Sequence, residues 1–352
     1  MLLDLRGHPL HTRSLSITLT RRADGRLDVF GELVDLRKRG FVPVAGDLQP
    51  SGVVHHMLLD GVVDPGTRVL DDIVARQPTV AFEPSAVTRG ESCRDPVDRI
   101  RALAGARLDD AFARRLGEEI GGPRGCSHIL TLAHLLASTV TWLLDRDGAA
   151  VGSRHRPGER VFRRDVVVDG VEPAGGGVDL ALQLIDLELA PAPPSAPSMD
   201  RFAAAHEVRV LAAVDLGRYA FGRVHVVERQ RDAAQLDAPW RERNDVASGL
   251  PGLPLGRGVS AALLARLGGR AGDQPIRAEQ AIHADQAILD GLLMLAPALI
   301  QVFAAMSDDW PMLARDQRWL LGMGGQPDSC WMWRRGGALQ ASRAAEDPPT
   351  GR

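Results

Sequence analysis

The chain has 352 residues, 45% of them hydrophobic and 25% charged, with a formal net charge of −3. That balance excludes nucleic acid and anionic membranes as partners, because both call for a concentrated basic surface. The length fits two domains, each able to bury its own core, and a single lysine, Lys38, leaves no Walker phosphate loop, which ends in a lysine.

The first residues, "MLLDLRGHPL", lack the basic flank and apolar core of a signal peptide. Three widely spaced cysteines, Cys93, Cys126 and Cys330, do not form a disulfide framework, so a cytoplasmic location is expected. "RSLSITLTRR" and "LDVFGELVDLR" alternate as strands do, and Asp24-Gly25 between them is a turn signal. "VVHHMLLDGVVD" is a third strand whose odd positions, His55 among them, point inward, while His56 points outward. "VLDDIVARQP" reads as a short strand or helix. Residues 95–120 read as a helix broken near Gly105, stopped by Gly121, Gly122 and Pro123, and Ile129 to Leu144 as an apolar helix. The unit is then a three-stranded antiparallel sheet covered by helices, an α+β layer.

The same pattern returns 151 residues later. Asp28, Leu33, Asp35 and Leu36 match Asp179, Leu184, Asp186 and Leu187, and His55, Val63, Asp64 and Gly66 match His206, Val214, Asp215 and Gly217. Gly105 matches Gly256, and Arg115 to Gly117 match Arg266 to Gly268. This register predicts two tandem copies of one small α+β domain, residues 1–150 and 151–352, the second degenerate, with two sheets packed side by side. The Pro-rich "APAPPSAPS" falls inside the second copy and reads as a loop. The apolar run Ala287 to Met306 has the length of a membrane span but carries Asp290, whose charge is costly in a bilayer, so a buried core helix is expected. The glycine clusters "PAGGGV" and "GLPLGRG" follow no strand of a βαβ unit and are not phosphate cradles.

Chemistry concentrates in "GPRGCSHILTLAHLLAS", residues 122–138. Cys126 stands at a helix start, where the dipole and free N–H groups favour thiolate, and His128 lies in the first turn. With the inward His55 they make a zinc-type ligand set, and Cys93 in "TRGESCRDP" offers a fourth ligand. Other readings stay open: a hydrogen-bonded core histidine, a small buried thiol, or a metal-free Cys/His nucleophile. His134 lies off the His128 face and packs. The second copy keeps the apolar helix but lacks the cysteine, and its His283 is out of register. Arg13 and Arg22, near His11, are either an anion-binding rim or part of a solvated edge strand.

These motifs resemble an uncharacterised bacterial family that carries only a domain-of-unknown-function label. They are His11-x-Arg13, Arg22-x-Asp24-Gly25, Leu33-Val34-Asp35, His55-x-Met57 and Gly125-Cys126-Ser127-His128, with a closing "PDSCWMWRRGG" around Cys330. The order of elements also resembles, more distantly, the U-type iron–sulfur cluster scaffolds. That resemblance would put His55 and Cys126 at the places of the first and last scaffold cysteines, and imidazole in place of thiolate favours zinc or another single ion. The expected function is a metal-binding protein, with zinc or another divalent ion at His55, Cys126, His128 and Cys93, acting as an enzyme on a small anionic substrate held by Arg13 and Arg22. The alternatives are a metal or iron–sulfur carrier serving a partner protein, and a non-catalytic assembly domain.

Overall fold

The computed structural model describes residues 5–40, 42–44, 47–109, 111–256, 258–267, 278–306 and 327–341. Gly268 and the side chain of His283 lie outside the described residues. The long strands are β1 (His8–Arg21), β2 (Leu27–Arg37), β5 (Gly52–Asp64) and β6 (Val69–Thr79), with a small hairpin β3 (Val42–Val44) and β4 (Asp47–Gln49) between β2 and β5. A two-residue strand β7 (Ala106–Arg107) pairs with the start of β6. Helices α1 (Phe112–Ile120) and α2 (Ser127–Asp147) follow. Then come β8 (Arg160–Glu172), β9 (Val178–Leu189), β10 (Phe202–Asp215), β11 (Ala220–Asp232) and β12 (Arg241–Glu242). Helices α3 (Asn244–Ala247), α4 (Val259–Leu267) and α5 (Ala278–Ala305) complete the order.

All the strands except β3 and β4 form one antiparallel sheet, in the order β12-β11-β10-β9-β8-β1-β2-β5-β6-β7. The α+β class is as expected, but the separate small sheets are not. β1 and β8 pair along almost their whole length, from His8 opposite Glu172 to Thr20 opposite Arg160. The physical reason is edge chemistry: each four-strand run begins with a long strand whose outer N–H and C=O groups need partners. Pairing the two edges satisfies both rows. β6 is a strand rather than a helix. Residues 95–107 are not an α-helix; they form a 3-10 turn (Val97–Leu103) and then β7.

Strand alternation decides the core. The odd residues of β1 and β2, such as Leu15, Ile17, Leu19, Leu27, Val29 and Leu33, are fully buried. Helices α2 and α5 cover this face. α2 crosses at Gly31, where an added Cβ would lie 3.3–3.4 Å from Ile17 and Leu132, so the helix comes as close as a bare backbone permits. Helices Ser127–Ala150 and Gln286–Ala305 are long and apolar enough to cross a membrane by length and composition, and here most of each lies buried in the fold. Asp290 in α5 is buried and paired with Arg164, with further bonds from Ser138 and Gln286.

Candidate functional site

Sheet register builds the first part of the site. Arg13 in β1 stands opposite Asp35 in β2, and Asp35 stands opposite His55 in β5, so the three form one row across neighbouring strands. All three share the covered face, where Arg13 is 1%, Asp35 0% and His55 6% exposed. A buried carboxylate needs a counter-charge. Arg13 supplies it through a two-pronged fork, Nε to Oδ1 and Nη2 to Oδ2, both 2.8 Å. His55 Nδ1 lies 3.1 Å from Oδ2, and His11 Nε2 lies 3.4 Å from Oδ1.

The second part comes from the head of α2. The chain leaves α1, turns through Gly122 to Gly125, and enters α2 with Cys126 as its N-cap. Gly125 cannot be another residue without movement, because a Cβ there would sit 2.3 Å from the Ile120 carbonyl oxygen. This tight turn delivers His128 onto the sheet row. His128 Nε2 lies 3.3 Å from Asp35 Oδ2, its ring stacks 3.8 Å from that of His55, and its Nδ1 lies 3.7 Å from Cys126 Sγ. The closing segment around Cys330 docks on the same turn, with Trp331 N–H donating to the Gly125 carbonyl at 2.8 Å.

Burial and the Arg13–Asp35 pair set the electrostatics of the site. Burial would raise the Asp35 carboxyl, but the charge and hydrogen bonds of Arg13, with help from His128 and His55, hold it well below the usual range. Burial pushes His128 down to about 3, with His55 adding to the effect, and burial likewise pushes His11 to about 3. Burial raises the Cys126 thiol to about 11. A neutral imidazole at His128 beside an ionised carboxylate at Asp35 is what a metal ion requires of such ligands.

Asp35, His55 and His128 form a group that can hold a metal ion, since one ligand atom from each lies within 4.8 Å of the others. Cys126 and Cys93 are outside that group. Cys126 reaches it only by touching His128, while Cys93 lines the adjoining cavity, as does Cys330, and all three thiols are free. Arg13 lines the cavity, with its fork bound to Asp35. Arg22 is remote from the site; it pairs with Asp24 and Asp28 at the exposed hairpin end. His134 does line the cavity.

The site opens on a cavity of about 750 Å³ between the sheet, α2 and α5. Residues 11–141 match a family described as "Protein of unknown function (DUF2889)". The matched span holds His11, Arg13, Asp35, His55, Cys93, Cys126 and His128, in agreement with the resemblance to an uncharacterised family, and it stops short of Cys330. No curated protein and no solved structure matches the chain.

Proposed function

We propose that the chain binds one divalent metal ion, zinc by preference, at Asp35, His55 and His128, and uses it on a small anionic substrate entering from the cavity. The observation that carries this reading is the closeness of the three donors: 3.1 Å and 3.3 Å from the two imidazole nitrogens to Asp35 Oδ2. Tetrahedral bonds of about 2.0–2.1 Å set neighbouring nitrogen and oxygen ligands roughly 3.3 Å apart. Three protein ligands leave a fourth position for water or substrate, where the ion would supply Lewis acidity. Arg13 keeps Asp35 ionised and oriented, the task of a group behind a ligand. Protein stripped with EDTA and refilled with zinc should hold about one equivalent of metal by mass spectrometry, given the single ligand set, and His55→Ala and His128→Ala should hold little. Equal zinc in wild type and both variants would sink the reading.

A second reading has its own observation. Cys126 Sγ, His128 and Asp35 lie in line at a helix start, with contacts of 3.7 Å and 3.3 Å, an order that suits a metal-free thiol nucleophile. The high Cys126 pKa, about 11, weighs for the metal.

We also propose that the two halves are copies of one unit. The support is that β2 and β9 begin at Leu27 and Val178, and α2 and α5 at Ser127 and Ala278, each pair 151 residues apart. The buried fork Arg13–Asp35 has its counterpart in Arg164–Asp186 at the same offset. His206 sits opposite Asp186 as His55 does opposite Asp35, yet bonds Glu228 instead.

A further inference from the structure

Asp290 and Arg37 both line the cavity beside the histidines, and they differ in how fully they are paired. Asp290 is matched by Arg164, Ser138 and Gln286, so its charge and hydrogen bonds are accounted for. Arg37 is 4% exposed. Its Nη1 donates to the Gln49 carbonyl at 2.9 Å, and its Nε is buried without a hydrogen-bond partner. Among the described residues it forms no salt bridge. Asp35 is the near carboxylate and its two oxygens are already forked by Arg13. Two guanidiniums therefore share one carboxylate, and a buried cation without a full counter-charge is a costly group. Much of the remaining wall is apolar, with Leu130, Leu293, Met294 and Ile300 facing the space.

We infer that this cavity binds an amphiphile made of a medium-length apolar chain with a single carboxylate, the carboxylate resting on Arg37 and the chain lying between α2 and α5. One negative charge completes the pairing of Arg13, Arg37 and Asp35. An arginine fork offers a carboxylate two parallel hydrogen bonds, and the Arg37 Nε spends its hydrogen on no other group among the described residues. The volume, about 750 Å³, is that of a pocket that encloses most of a small organic ligand. This names the substrate class of the proposed function but needs no ion, so the two can fail separately.

The test is calorimetric titration of the full chain, stripped with EDTA, with three probes: dodecanoate, dodecanol and acetate. Dodecanoate should bind at least about tenfold more tightly than dodecanol, the margin of one hydrogen-bonded charge, and acetate should bind weakly for want of a chain. Arg37→Met should bring dodecanoate down to the affinity of dodecanol while leaving dodecanol unchanged. Arg37→Lys should keep part of the preference, which covers the case in which the methionine variant does not fold. Binding of dodecanoate by the stripped chain, which holds no ion, separates this inference from the metal reading. Equal binding of dodecanoate and dodecanol by the wild-type chain, or no binding of either, overturns the inference whatever the variants do.

Discussion

Asp35 joins the fold and the site, and substitutions there separate its two roles. Asp35→Asn leaves Arg13, 1% exposed, without its counter-charge. Breaking a buried pair from one side costs about 3–5 kcal/mol, and urea unfolding should show a loss of that size. Asp186→Asn should cost less, because Arg164 keeps Asp290. A joint change, Arg13→Met with Asp35→Leu, should recover most of the loss, since two apolar groups replace two charges. His11 gives a pH prediction. Burial lowers its pKa from the 6.5 usual for an imidazole to about 3 in the folded chain. The unfolded chain therefore takes up the proton first, so stability is intact above pH 6.5 and falls as the solution is acidified toward pH 3. At pH 5 the loss from this residue is about 2 kcal/mol relative to pH 7. His11→Phe should flatten that slope in metal-free protein, phenylalanine being what stands at the equivalent offset, Phe162. Strand parity in the sequence already put Asp35 with Leu33 and Val29, and Arg13 with Leu15 and Ile17. A charge on an apolar face asks for a partner, and that signal was there to be read. The meeting of His128 with His55 was legible too, because a helix begun at Cys126 has to cover the face on which His55 stands, whereas Asp35 as their shared partner was passed over.

At the level of elements, α2 reaches the site through its first turn. Gly125→Ala forces a Cβ against the Ile120 carbonyl at 2.3 Å and must shift the helix start. A cost of about 1–3 kcal/mol is expected from such overpacking, and His128 should move with the turn, so zinc retention should fall more steeply than thermal stability. Parallel melting curves and metal analyses of the variant check this. The strands and the two apolar helices were legible because their periods of 2 and 3.6 persist over many residues. Residues 95–107 hold a 3-10 helix and a short strand where a helix broken near Gly105 was expected. Their charges and alanines favour one, but Gly105, at φ +77°, turns the chain and donates to the Leu70 carbonyl at 2.8 Å, which brings Ala106 and Arg107 onto the sheet.

For the molecule as a whole, the β1–β8 seam makes the two halves a single cooperative body. Neither half should be stable alone. A fragment of residues 1–150 should aggregate or self-associate through the bare edge of β1, and co-expression with residues 151–352 should rescue it as a complex seen by size-exclusion chromatography. A monomeric, sharply melting fragment would show that the seam is dispensable. No local signal in the sequence announces this seam. Both strands alternate in the ordinary way, and which edge meets which is decided only when all eight long strands compete for partners.

The seam also bears on how the protein is made. β1 leaves the ribosome well before its second neighbour, β8, which begins only at Arg160. At about 5–20 residues per second, synthesis of the intervening stretch lasts on the order of ten seconds. Throughout that interval the strand that ends in the middle of the sheet is an open edge, 14 residues long. Nascent-chain crosslinking should therefore find holdase chaperones on β1 until β8 emerges, and translation slowed between the halves should lower the yield of folded protein.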